Sequence, residues 1–208
     1  MYTGNEKFLL GGEELSTSVL DFWRWAYSEL SDNVERGVLA EFIVKAAIAH
    51  KGLDTNQGFR WWHPYDLTGP NGLRLEIKSV ARNHARGESK DKMVFGIAPT
   101  SLYNDYLDSY SLEKARHSDV FIFCIWDMRD PNQDPLNLDD WEFYVLATHV
   151  LNERYKEQKS ISYKALLSLN PVHCGFADLR EAIIKEHSER GPYTYGQASK
   201  SSSETAGE

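Results

Sequence analysis

Hydrophobic and polar residues alternate strictly over Leu73-Arg74-Leu75-Glu76-Ile77-Lys78, which predicts a half-buried strand. Leu75 and Ile77 would face a core, and Glu76 and Lys78 would share the opposite face, roughly 7 Å apart along the strand. Pro70-Asn71-Gly72 just before it is strong turn chemistry, because Asn and Gly tolerate positive φ. A hairpin centred on Asn71 brings Asp66 opposite Glu76. Upstream, Arg36 to Ala49 has helical composition and is apolar almost all the way round, so it should be largely buried, ending near Lys51-Gly52. Ser16-Thr17-Ser18 offers N-caps for an earlier helix from Val19 to about Leu30, whose Phe22, Trp23, Trp25 and Tyr27 read as core packing.

Further along, Lys92 to Ala98 reads as a third strand. Ser101 to His117 is ambiguous; the spacing of Tyr103, Tyr106, Leu107 and Tyr110 predicts a helix. Val120 to Trp126 is a continuous apolar run, the mark of a strand buried on both faces. A loop from Met128 to Asp140 leads to a strand over Glu142 to Ala147 and a short helix from Thr148 to Tyr155, with closing helices over Ser162 to Leu169 and Ala177 to Glu189. Residues 1–16 read as an irregular lead-in broken at Gly11-Gly12. Residues 1–190 thus form one domain with an N-terminal helical extension, and 191–208, rich in Gly, Ser, Thr, Lys and Glu, a disordered tail.

Composition narrows the class. A chain of 208 residues, 41% apolar and 26% charged, can bury a proper core. No run approaches the roughly 20 apolar residues a membrane span needs. The N-terminus lacks a signal-peptide pattern, and two cysteines, Cys124 and Cys174, make neither a disulfide framework nor zinc spacing. These features fit a reducing cytoplasm.

The chemistry concentrates at the turn. Two carboxylates, Asp66 and Glu76, about 5 Å apart repel unless a cation lies between them or one is protonated. Lys78 beside them is what a metal-dependent hydrolase needs. Glu41, in the middle of the apolar helix, needs an arginine, a hydrogen-bond network or a metal as partner. Glu35 follows Asp32 at capping-box spacing, so Glu41 is the better helical site acid.

The order Arg36-Gly37, Glu41, Asp66, then Glu76-Ile77-Lys78 resembles the PD-(D/E)XK nuclease superfamily, whose members include restriction endonucleases and DNA-repair nucleases. The resemblance is close from Asn33 to Ser79, with one departure: Tyr65 stands between Pro64 and Asp66, which adjoin in the name-giving motif. Asp119 to Cys124 and Trp141 to Leu146 are also similar to uncharacterised bacterial restriction-endonuclease-like proteins.

The resemblance implies an α/β fold with a restriction-endonuclease-like αβββαβ core, a central mixed sheet flanked by helices. It implies an Mg²⁺-dependent deoxyribonuclease, with Mn²⁺ as a substitute, serving in defence against foreign DNA. Asp66 and Glu76 would be metal ligands with the Ile77 carbonyl, Lys78 would act on the water and the phosphate, and Glu41 would bind a second metal, hold a water or orient Lys78.

A net charge of −8 works against nucleic-acid binding as a whole. Locally, however, Arg74, Lys78, Arg82, His84, Arg86, Lys90 and Lys92 cluster on and after the motif strand, with Arg60, Trp61, Trp62 and His63 before it. Of these, Arg74, Arg82, Arg86, Lys90 and Lys92, together with Ser79, are the expected phosphate contacts. DNA is the expected partner ahead of RNA, and a homodimer or a partner subunit stays open as part of the active form. Two alternatives remain. Asp66, Glu76 and Lys78 could be an ordinary charge cluster on a solvated sheet, each pair contributing roughly 0–1 kcal/mol. The domain could also be a catalytically silent nucleic-acid-binding or assembly subunit of a larger nuclease complex.

Overall fold

A computed structural model describes residues 1–49, 64–83, 93–104, 109–128, 130 and 132–190. The expected helix end at Lys51-Gly52, the residues Arg60, Trp61, Trp62, His63, His84, Arg86, Lys90 and Lys92, and the tail 191–208 lie outside them.

The lead-in is a hairpin rather than irregular chain. Strands β1 (Lys7–Leu10) and β2 (Glu13–Ser18) pair antiparallel. Gly11 and Gly12 between them have φ of 62° and 90°, left-handed values that favour glycine in a two-residue turn. Helix α1 (Val19–Tyr27) starts as predicted. The Ser18 hydroxyl accepts from the Asp21 N–H, and the Asp21 carboxylate accepts from the Ser18 N–H at 2.8 Å. Its aromatic stripe does not enter the core. No residue of α1 is buried, and Trp25 is 83% exposed. The reason is that β1, β2 and α1 pack chiefly on one another, a unit too small to have an interior.

Helix α2 (Asn33–Ile48) is capped by Asp32, whose side chain accepts from the Val34 N–H. It buries one face, through Arg36, Ala40, Ile43 and Val44, while Val34 and Phe42 stay exposed; it is covered on one face rather than buried all round.

Five strands form the central sheet: β3 (Leu67–Thr68), β4 (Arg74–Asn83), β8 (Val120–Met128), β9 (Trp141–Ala147) and β11 (Val172–Cys174), in the order β11-β9-β8-β4-β3. β4 and β8 run parallel and the other neighbours antiparallel, so the sheet is mixed. β8 is buried on both faces, as its continuous apolar run predicts. On one face, α2 and the last helix, α5 (Leu179–Arg190), cover Leu75, Ile77, Ile122, Cys124 and Val145. On the other, Phe121, Phe123, Ile125, Tyr144 and Leu146 pack against Met93, Phe95, Ile97, Leu151, Ile161 and Leu166. The latter residues come from β5 (Val94–Gly96), β10 (Ser160–Ser162), α3 (Thr148–Arg154), α4 (Tyr163–Leu167) and their flanks. The architecture is the expected mixed sheet with flanking helices.

The crossover from β4 to β8 differs from the expectation. β5 pairs with β10, outside the central sheet. The segment expected to be a helix is a hairpin of β6 (Thr100–Asn104) and β7 (Ser109–Ala115). Ser109-Tyr110-Ser111-Leu112-Glu113 alternates with period two, and Tyr110 meets Tyr103 across the strands with ring centroids 5.2 Å apart. That cross-strand pairing overrides the helical spacing of the tyrosines. Thr148 begins α3 but does not cap it; its hydroxyl lies 3.1 Å from that of Ser118. Among the described residues no helix is long and apolar enough to cross a membrane.

Candidate active site

The turn before β4 builds the site. Asn71 and Gly72 adopt φ of 57° and 79°, as the Pro-Asn-Gly triplet predicts. Gly69 fits because a Cβ there would lie 2.6 Å from the Leu75 side chain. The register is centred on Asn71, with Leu67 opposite Leu75 and Thr68 opposite Arg74. Asp66 then leaves the ladder. Its N–H donates to the Leu75 carbonyl at 2.9 Å, and its carboxylate accepts from the Ile77 N–H at 2.6 Å, a bond that another strand residue would otherwise make. Asp66 is thereby fixed on β4 beside Glu76.

Glu76 and Lys78 project from the same face, in register with Phe121 and Phe123 of β8, and Lys78 Nζ lies 2.6 Å from Glu76 Oε1. Main-chain groups of alternate strand residues point to alternate sides, so the Ile77 carbonyl points to the same edge as its N–H, toward Asp66. Glu41 comes from α2, which packs on the Leu75 and Ile77 face. Glu76 and Lys78 lie on the other face, and Glu41 is near enough to Asp66, Lys78 and Glu76 for their charges to act on its carboxyl. No three His, Cys, Asp or Glu side chains among the described residues are grouped to hold a metal.

Electrostatics nonetheless link the four groups. Burial, then repulsion from Asp66 and from Glu76, pushes the Glu41 carboxyl up to about 8, against relief from Lys78. Burial raises Asp66, opposed by Lys78 and by the Ile77 N–H. Burial also raises Glu76, with Asp66 adding to it and Lys78 opposing. Burial alone would lower Lys78, but Glu76, Asp66 and Glu41 together hold it above its usual value, so it remains charged. Three partly desolvated carboxylates thus share one lysine, and a proton or a cation on them would relieve the repulsion. Two carboxylates and a main-chain carbonyl suit Mg²⁺, which keeps several waters and takes phosphate oxygens as further ligands.

The expected phosphate contacts fare differently. Arg82 is 3% exposed and ion-paired with Asp127 and with Glu142, the latter at 3.1 Å. A guanidinium buried in this way cannot lie on a phosphate backbone, which corrects its assignment. Arg74 donates its Nε and Nη2 to Asp119 at 3.1 and 2.6 Å, so it is engaged within the fold. Ser79 is half-buried. Arg86, Lys90 and Lys92 lie outside the described residues. The reading of the sequence missed Asp119, Asp127 and Glu142 as partners of these arginines. One signal was present: each Arg-Asp pair is separated by the same 45 positions, the offset of the parallel strands.

No curated protein matches the chain. A family model described as bacteriophage T4 endonuclease IV matches residues 23–165, about two thirds of the chain, and its span includes α2, the hairpin with Asp66, Glu76 and Lys78, and strands β8 and β9. The chain belongs to the bacteriophage T4 endonuclease IV family.

Proposed function

We propose that this protein is a divalent-metal-dependent endonuclease that hydrolyses DNA phosphodiester bonds at a PD-(D/E)XK-type site. The observation that carries the reading is the hairpin register: it sets Asp66 beside Glu76, with Lys78 against Glu76, in a half-buried, net-negative cluster. Membership of a family named for an endonuclease supports the same reaction class. Asp66, Glu76 and the Ile77 carbonyl would hold Mg²⁺, or Mn²⁺ in its place. A bound divalent ion supplies Lewis-acid polarisation of the scissile phosphate and a lowered pKa for attacking water. Lys78, kept protonated by its carboxylate neighbours, orients that water and donates to charge developing on the phosphoryl oxygens. Glu41 holds a proton below about 8, and only when ionised does it add to the field that keeps Lys78 charged. A role in defence against foreign DNA rests on analogy of fold alone.

The test is cleavage of plasmid, linear duplex, single-stranded DNA and RNA with Mg²⁺, Mn²⁺ or EDTA. Cleavage of DNA should require the metal. Lys78→Ala should lose about 10²–10³ in rate while keeping metal binding, because the lysine is not a ligand. Cleavage that persists in EDTA, or at full rate in Lys78→Ala, overturns the assignment.

A further inference from the structure

We propose that Arg74 and Asp119 are a positioning pair for this site, fixing the register of β4 against β8 and hence where along β8 Glu76 and Lys78 stand. The proposal rests on the nuclease reading for its effect on rate, but not for its effect on register. Arg74 is tied to Asp119 by its N–H at 2.8 Å, its Nε at 3.1 Å and its Nη2 at 2.6 Å, and the Asp119 N–H returns a bond to the Arg74 carbonyl at 2.8 Å. The Asp119 carbonyl also accepts from the Thr148 N–H at 3.0 Å, just past the end of β9. One aspartate therefore joins the starts of β4 and β8 to the end of β9. The parallel ladder begins at the next residues, Leu75 opposite Val120, followed by Glu76 opposite Phe121 and Lys78 opposite Phe123.

Something has to set this register. Tight turns fix it in hairpins, but 45 positions separate partners on β4 and β8. The alternation of β4, with Leu75 and Ile77 buried and Glu76 and Lys78 half-buried, excludes a slip of one residue, which would turn Glu76 and Lys78 to the face covered by α2. It does not exclude a slip of two, because β8 is apolar and buried on both faces from Val120 to Trp126. Such a slip keeps every β4 side chain on its face but moves Glu76 and Lys78 roughly 7 Å along β8. The clamp at the first rung is a polar, directional contact that a slip breaks. Burial alone would raise the Asp119 carboxyl, but the bonds from the Arg74 side chain and backbone hold it below its ordinary value, so it is ionised for this role.

Two measurements test the pair. The first reads register without activity. Ser79 lies opposite Cys124 across β4 and β8, and because Cys124 is fully buried in the folded protein, the Ser79→Cys variant is refolded from denaturant with a glutathione redox couple, when it should form the disulfide with Cys124, identified by peptide mass. Adding Asp119→Ala, or the shape-conserving Asp119→Asn if the alanine variant does not fold, should reduce that cross-link about tenfold. Undiminished cross-linking overturns the proposal, whether or not the protein cleaves DNA. The second uses Arg74→Ala, Asp119→Ala and their double variant in single-turnover cleavage at saturating DNA. Each single variant should fall about a hundredfold in rate, since misplacement of about 1 Å can cost that much. DNA affinity in EDTA and its salt slope should not change, and the double variant should be no worse than the worse single. A pair with only a structural role lowers the melting temperature but leaves the rate of the folded protein intact, which counts against the proposal. If Arg74 instead contacts phosphate, Arg74→Ala alone weakens DNA binding and lowers the salt slope by about 1, while Asp119→Ala cleaves normally. Loss of Lys78-dependence in the unmodified background would count against the nuclease reading and leave the register result standing.

Discussion

Replacing Glu41 with Gln should stabilise the metal-free protein, and the gain should appear only as pH rises. In the folded chain the Glu41 carboxyl titrates at about 8 against an ordinary 4.5, so the native state holds a proton that the unfolded chain has released. Stability contributed by that proton is complete below about 4.5 and is lost as pH climbs toward 8. Converted in full, the interval is worth about 5 kcal/mol. Glu41 is only half-buried, and solvent screening brings the expected effect to about 2 kcal/mol. Gln has the shape of the protonated carboxyl and cannot ionise, so at pH 5 the two proteins should unfold at nearly the same urea concentration. At pH 8.5 in EDTA the variant should be more stable by about 2 kcal/mol, with the same slope against denaturant. A gain already complete at pH 5 would point to packing, and no gain at pH 8.5 would mean that Glu41 is neither desolvated nor crowded by Asp66 and Glu76.

Two further outcomes follow from the geometry. Mn²⁺ should raise the melting temperature of the wild type by mass action, about 2.7 kcal/mol at a hundredfold excess over Kd, and Glu76→Gln should abolish the rise; a full rise in that variant would locate the metal elsewhere. Arg82→Ala should destabilise the fold by about 3–5 kcal/mol in urea unfolding because it leaves Asp127 buried without its cation, while the salt dependence of DNA binding stays unchanged; a loss below 1 kcal/mol with weaker DNA binding would return Arg82 to the phosphate contacts.

The site hairpin was legible in the sequence because each of its determinants is local. Asn71 and Gly72 specify the left-handed turn, and the alternation from Leu73 to Lys78 specifies which side chains share a face. Together they fix Asp66 beside Glu76 without reference to the rest of the chain. The same holds for β8, whose short unbroken apolar run, rich in β-branched and aromatic residues, predicts an inner strand. What tertiary structure decided is what lies beside each element. Tyr103 and Tyr110 satisfy a helical spacing and a cross-strand pairing equally well, and only the partner strand selects the second. Phe22 and Trp25 have the composition of a core, but among the described residues they stay exposed, because α1 packs chiefly on β2. Arg82 has the same residue type and neighbourhood in sequence as a surface cation, and its burial follows from Asp127 and Glu142 arriving on β8 and β9. Glu41 was identifiable as an acid in an apolar helix, but its nearness to Asp66 depends on which face of the sheet that helix covers. Side-chain direction along one strand is set by backbone geometry two residues at a time; burial and pairing are set by contacts between segments whose offset no local pattern encodes.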